Sequence, residues 1–360
     1  MIKRYWTIRR KTAALLVGAG IAALPGCGWR EESGSSIAVT ACERVIGEVG
    51  LSRGQFVSPR CIESDGENLW VIDKDARVQR IDPKTGNCLA IFKMPEYAFG
   101  KPTGITIAKD GVDGGSNLLF IADTHYHRVR VYRVPAAAAA DIVTENEPEL
   151  LTQFGSFGRD GGQFIFPTDI AVLHDSKGML ERVYVSEYGG NDRISVFDGH
   201  YKFLFSFGQF GVGEEGNAES GLIEFSRPQS MAVDEKKREL VVTDSCNHRL
   251  GVFTLEGTLV RWIGGSKGTS DAPGSYSYPY GLALLGDGTA VVSEFGNGRA
   301  QHVDLSTGAC LGLFAGPKED DGLAQRLGNA WGLTILKQEM FVLDMRRSRI
   351  VCHQMPAGHR

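Results

Sequence analysis

The sequence predicts an all-β fold of six repeated units, each of four strands, arranged as an array, solenoid or propeller. Two recurring patterns and one terminal segment predict it. The first pattern is an apolar run that ends on an acid, a short polar turn, and an Arg that opens a second apolar run, which reads as a β-hairpin. It recurs at Asp73–Arg77, Asp123–Arg128, Glu187–Arg193, Asp244–Arg249, Glu294–Arg299 and Asp344–Arg349, with intervals of 50, 64, 57, 50 and 50 residues between the acids. The second is a Pro followed three residues later by an aliphatic: Pro59–Ile62, Pro102–Ile105, Pro167–Ile170, Pro228–Met231 and Pro279–Leu282, with Ala330–Leu333 as a sixth copy lacking the Pro. Pro suits the start of a strand because it donates nothing to the ladder. The terminal segment is Arg44 to Gly50. The last unit ends near Val351–His353 with no fourth strand of its own, and residues 44–50 have that strand's pattern. The N-terminal segment is therefore expected to complete the last unit, which leaves only short, protected edges.

Within a unit the strands follow the hydrophobic runs. In the fourth they are expected at Ser230–Val233, Glu239–Thr243, Leu250–Thr254 and Leu259–Gly264. Inside–outside alternation is weak because such sheets are covered on both faces. Pro135 to Pro148, with its run of Ala, reads as a surface insertion between the last two strands of unit two.

Gly54-Gln55-Phe56 and Gly162-Gln163-Phe164 precede the Pro mark, and Asp244-Ser-Cys-Asn247-His248-Arg249-Leu250 closes the hairpin of the fourth unit. The string Gly-Gln-Phe-x-x-Pro, an apolar run, then Asp-x-x-Asn-His-Arg-Leu resembles the NHL repeat. The resemblance covers about residues 43–353. It implies a six-bladed β-propeller of four-stranded antiparallel blades, the number that repeat counting also reaches.

The organisation reads as a signal at residues 1–26, a polar tether at 27–41 and the propeller at 42–360. Residues 1–26 carry Lys3, Arg4, Arg9, Arg10 and Lys11 and no acid, ahead of an apolar run from Ala13 to Leu24, the pattern of an export signal. Arg9–Arg10 is a twin-arginine pair without the usual Phe-Leu after it, so the twin-arginine and general routes both stay open. Leu24-Pro25-Gly26-Cys27 resembles a bacterial lipobox, with Cys27 lipidated after cleavage; an ordinary signal with a chance Cys is the alternative. The expected location is the bacterial cell envelope, exported and held to the membrane through the lipid.

Without residues 1–26 the chain carries 34 basic and 43 acidic residues, a net charge of −9, against a nucleic-acid surface. Six cysteines follow Cys27, which an exported compartment permits to pair. Cys42 is expected near Cys352 if the closure holds. Cys88 and Cys310 stand at equivalent places in units one and five, cannot touch, and read as small buried hydrophobes.

Loops joining strands two to three, and those leading into each first strand, share one rim. The residues after the Pro mark are Arg60, Thr103, Thr168, Gln229, Tyr280 and Trp331. The hairpin turns add His125, Tyr126, His127, Tyr188 and His248. Aromatic, guanidinium and amide groups converging on one concavity suit ligand binding. The repeated acids are read as structural, accepting backbone N–H bonds, with the Arg residues bridging neighbouring turns.

No catalytic residue, metal or cofactor is assigned. Among NHL-like propellers, the zinc-dependent peptidyl-amidoglycolate lyases place their zinc histidines directly after the Pro mark, and none of the six residues there is His. Tyr188 sits where that family has a Tyr in a turn. Calcium-dependent lactonases need converging Glu, Asn and Asp in the channel, a set the sequence does not assemble. The expected role is a monomeric, non-catalytic binding platform for a protein, peptide or glycan ligand, with no nucleic-acid partner. The alternative is an exported hydrolase or lyase acting on the same face.

Overall fold

The computed structural model describes residues 37–109, 111, 117–134, 145–212, 222–265, 268–318 and 325–356. The signal, the twin arginines, Cys27, most of the tether and most of the Ala-rich insertion lie outside the described residues.

Six four-stranded antiparallel blades form. Blade 1 comprises Cys61–Ser64, Leu69–Ile72, Arg77–Ile81 and Cys88–Lys93, and blade 2 Gly104–Ala108, Leu118–Asp123, Arg128–Arg133 and Leu150–Phe154. Blade 3 comprises Phe166–His174, Leu180–Tyr188, Arg193–Asp198 and Phe203–Phe207. Blade 4 runs through Pro228–Asp234, Glu239–Asp244, Arg249–Thr254 and Leu259–Gly264, within a residue or two of the expected bounds. Blade 5 has Pro279–Leu284, Thr289–Glu294, Arg299–Asp304 and Cys310–Phe314, and blade 6 has Ala330–Leu336, Glu339–Asp344 and Arg349–Gln354. Each first strand packs beside those of its two neighbours, and that of blade 6 returns to that of blade 1, so the ring is complete.

The second strand of a blade is apolar almost throughout. Leu69–Ile72 and Leu118–Asp123 are buried at every position, because each blade is sandwiched between two others. The wedges between blades hold the core. Between blades 2 and 3, for instance, Phe164 shares one buried cluster with Val129, Val185 and Phe197.

The closure is as expected. Arg44–Ile46 pairs antiparallel with the last strand of blade 6, Arg44 opposite Cys352 and Ile46 opposite Ile350. Arg44 also donates to Glu339 Oε1 at 2.7 Å. Cys42 lies near Cys352 as expected, although the register puts Arg44 directly opposite it, and both cysteines are free thiols, as are the other four described. Val39–Thr40, inside the segment read as tether, adds a short parallel strand to the outer edge of blade 5 against Leu313–Phe314. Cys88 is buried as expected and Cys310 half-buried.

The hairpin turns of blades 1, 2, 4 and 6 have one backbone device in common. The residue before the Arg is left-handed at Ala76, His127, His248 and Ser348, with φ of 60, 57, 54 and 55°. In blades 2 and 4 a single 3-10 turn, Thr124–Tyr126 and Ser245–Asn247, feeds into it. An Asn-His pair suits that place because the turn must reverse within a few residues.

Candidate functional site

The repeated acids and arginines form a clamp, and it reaches further than the hairpin. In blade 4, Asp244 accepts Ser226 N–H at 2.7 Å, Asn247 Nδ2 at 2.8 Å and Arg249 Nε at 2.9 Å. Arg249 Nη2 then donates to Glu224 O at 2.8 Å. In blade 1, Arg77 reaches Leu51, Gly50 and Gln55 carbonyls at 2.8, 2.9 and 3.0 Å, and Asp73 accepts Val57 N–H at 3.0 Å. The pair therefore pins the segment leading into its own blade, not the neighbouring turn. Burial pushes the Asp244 carboxyl up to about 6 against the pull of Arg249 and Asn247. An acid–arginine pair repeated in all six blades, with the backbone bond to the acid in five, is scaffold.

The first strands surround a channel of about 330 Å³. Of the six residues after the Pro mark, Arg60, Thr103, Gln229, Tyr280 and Trp331 line it. Thr168 does not: its Oγ1 is tied between Pro228 O at 2.9 Å and Ser186 Oγ at 2.7 Å. Tyr280 and Trp331 are walls rather than exposed anchors, only 6 % and 9 % accessible. With Phe295 they form a cluster with ring centroids 4.9–5.6 Å apart. The cause is the close spacing of neighbouring first strands, which lets side chains of blades 5 and 6 cover one another.

The turn residues stand around the rim outside the channel and are engaged with neighbouring loops. His125 Nδ1 meets Lys101 N–H at 3.3 Å, and His248 Nδ1 meets Tyr278 N–H at 3.2 Å. Burial lowers the pKa of both imidazoles, which suits these neutral acceptor roles. His127 bonds Ile165 O and packs 4.8 Å from the Phe157 ring. Tyr126 accepts Phe99 N–H at 3.3 Å. Tyr188 has the Arg227 guanidinium 5.0 Å from its ring centroid.

Further along the same strands the channel holds groups that the sequence reading did not name. Glu63 accepts Thr334 Oγ1 at 2.9 Å and Ser64 N–H at 2.7 Å. Asp169 accepts Ser230 Oγ at 3.0 Å and Met231 N–H at 2.8 Å. Burial pushes both carboxyls up to about 7, and Glu63 adds to the shift at Asp169 through its charge. Cys61 donates to Thr103 O at 2.7 Å beside them. An acid at the fourth place after a Pro mark, amid residues otherwise apolar or Thr, was the available signal for Glu63. Arg227, immediately before Pro228, was legible as a rim residue by the same register. Among the described residues no three His, Cys, Asp or Glu side chains are grouped as a metal cluster, and no helix is long and apolar enough to cross a membrane.

The repeat in blade 4 carries the comparison with known proteins. Residues 225–253 match the NHL repeat family model. That match, together with the six-bladed ring, supports an NHL-repeat propeller. Among curated relatives, Protein brain tumor of Drosophila melanogaster is 22 % identical over 176 residues, 49 % of this chain and 14 % of that protein. NHL repeat-containing protein 2 of Gallus gallus is 27 % identical over 162 residues, 44 % of this chain and 21 % of that protein. This chain thus spans under a quarter of the length of these relatives. Among solved structures, virginiamycin B lyase from Staphylococcus aureus has a TM-score of 0.50 at 12 % identity, covering 82 % of this chain and 80 % of that one. A structural genomics protein of unknown function from Bacteroides thetaiotaomicron has 0.55 at 14 %, covering 89 % and 75 %. At these identities the likeness is one of fold alone.

Proposed function

We propose that this NHL-repeat propeller is an exported, envelope-anchored binding protein, non-catalytic, which presents its channel mouth to a protein, peptide or glycan ligand. The observation that carries the reading is the convergence of Arg60, Gln229, Tyr280 and Trp331, from four different blades, on one open channel. A concave site with aromatic walls and a few directed polar groups is the common form of a ligand pocket. Anchoring rests on Cys27 in its lipobox-like context and the charged, apolar segment before it. The net charge of −9 without residues 1–26 supports a partner other than nucleic acid.

The test is retention of a ligand from envelope extracts by immobilised protein, with the double substitution Arg60→Ala, Gln229→Ala as control. Loss of the retained ligand with thermal stability within about 2 °C supports the reading. Undiminished retention by the double variant overturns it. For the anchor, Cys27→Ser moves the protein from the membrane fraction to the soluble one, and a wild-type protein already soluble after export sinks that part.

A second reading, an exported hydrolase or lyase on the same face, is favoured by Glu63 and Asp169. Carboxyls that titrate near neutrality inside a channel suit proton transfer at neutral pH. Turnover of a lactone or peptidyl substrate that collapses in both Glu63→Gln and Asp169→Asn, with the fold intact, would establish it. Turnover indifferent to both substitutions would not.

A further inference from the structure

Beside the channel, at the end where Arg60 lines it, stand two guanidinium groups that form no ion pair with a carboxylate among the described residues. Every hairpin arginine has its acid, and Arg44 and Arg80 are paired with Glu339 and Asp65. Arg60 differs. Among the described residues its side chain makes no hydrogen bond and no ion pair, and its Nε is buried without a partner. Its Cζ lies 5.4 Å from the Trp331 ring centroid. Arg227 spans two rings, with Cζ 5.0 Å from the centroid of Tyr188 and 5.3 Å from that of Tyr280. Its Nε donates to the neutral Gln229 Oε1 at 3.0 Å.

The two cations sense each other. Burial and the charge of Arg227 both lower the pKa of Arg60, and the groups that oppose this are Tyr188, Cys61 and Tyr280 rather than any acid. Asp192 feels the charge of Arg227, but neither it nor the channel carboxyls form an ion pair with either guanidinium. Asp192 accepts the backbone N–H of Arg227 and that of Gly190. Glu63 and Asp169 lie deeper, bonded to Thr334, Ser64, Ser230 and Met231. Aromatic faces partly offset the cost of holding like charges in a desolvated concavity. An oxyanion between them would offset far more, because charge-assisted bonds to guanidinium are strong and can be bidentate.

We propose that Arg60 and Arg227 together bind the carboxylate of a ligand, with its adjoining apolar or aromatic part against Tyr280 and Trp331. The proposal rests on the reading of the channel mouth as the ligand site and names the chemistry it selects. A peptide C-terminus and a free aryl or alkyl acid share that chemistry. Phosphate fits less well, because its second charge would face the ionised fraction of Glu63 and Asp169 below.

The experiment is calorimetric titration at pH 7.5 and low salt with phenylacetate, phenylacetamide, an N-acetylated dipeptide acid, its C-terminal amide, and inorganic phosphate. Both acids are expected to bind at least about tenfold more tightly than the matching amides, and phosphate more weakly than either. Arg60→Gln and Arg227→Gln each weaken the acids by about tenfold or more with the melting temperature unchanged, and Arg60→Lys restores part of the loss. Equal affinity for acid and amide overturns the carboxylate proposal while leaving the mouth a ligand site. Failure of both acids to bind at millimolar concentration, or binding indifferent to both arginine substitutions, overturns it as well. Retention of an envelope ligand would then still report separately on the broader reading. A preference for the dipeptide acid over phenylacetate identifies the peptide terminus as the source.

Discussion

Blade 2 is built to the same pattern as blade 4, yet its lead-in segment is attached differently. In five blades the residue three before the strand-opening Pro, or before Ala330, is buried: Phe56, Phe164, Phe225 and Tyr276 at 0 % and Leu327 at 3 %. The N–H of the next residue then donates to the hairpin acid, from Val57, Ile165, Ser226, Ser277 and Gly328. In blade 2 the corresponding aromatic is Phe99, and it is 83 % exposed. Asp123 Oδ1, buried, has no partner, and neither do Nε and Nη1 of Arg130 beside it. The cause lies at the end of the preceding outer strand. Where an aromatic docks, that place is a left-handed Gly such as Gly155 or Gly264, and a Cβ there would collide with the Phe164 or Tyr276 ring. Lys93 holds the same place opposite Arg77, as Gly264 does opposite Arg249. Its Cβ excludes the ring, and buried Met94 sits in the wedge between blades 1 and 2 instead. The lesson is that the repeat is a set of mutually dependent choices: losing one glycine releases an aromatic, a backbone bond and an acid together.

That difference can be tested by treating equivalent positions alike. Phe164→Ala is expected to cost about 3–5 kcal/mol in chemical denaturation, as a fully buried aromatic does. Met94→Ala is expected to cost about 2–5 kcal/mol, since Met94 stands in for the missing ring; a loss below about 1 kcal/mol would mean that the wedge is held by Trp70 and Tyr132 alone. Asp244→Asn and Asp123→Asn separate the two kinds of clamp. In blade 4 an amide NH₂ must face either Ser226 N–H or the donors of Asn247 and Arg249, whereas in blade 2 it can occupy the unpartnered Oδ1 position while the other oxygen keeps Arg128. The blade 4 substitution is therefore expected to be worse by about 2 kcal/mol, and equal losses would refute an unclamped blade 2. The smallest effect is expected at Phe99→Ala, within about 0.5 kcal/mol, because its ring is already in solvent. A loss approaching that of Phe164→Ala would show that Phe99 docks as its counterparts do.

How much of this was legible in the sequence depends on whether a residue type repeats. The number of blades, the strand bounds of blade 4 and the closing strand at Arg44–Ile46 follow from periodic signals, because each copy checks the others. The clamp was legible in its members but not in its reach: that Asp73 holds Val57 N–H depends on a loop conformation no residue type announces. The channel was half legible. Register placed Arg60, Gln229, Tyr280 and Trp331 at its mouth, since position after a Pro mark fixes height along the first strand. It did not distinguish Thr168, which turns into the contact between blades 3 and 4. Nor did it bring Glu63 and Asp169 into one cavity, because they stand at different distances from their Pro marks, and only the ring's geometry relates them.

The closure has a consequence for the order in which the molecule can be made. Arg44 finds Glu339, and Ala41 O finds His353, across sequence separations of 295 and 312 residues. On a chain emerging from its N-terminus, residues 39–46 therefore wait for almost the whole polypeptide before they acquire their strand partners. Loop closure of that length is slow and entropically unfavourable, and contacts of such separation set the pace of folding. Blades 1 to 5 can each collapse locally while the final latch is withheld until Ile350 is available. The nascent chain thus carries its first strands unsatisfied throughout synthesis, an interval in which a chaperone that covers strand edges would find its substrate.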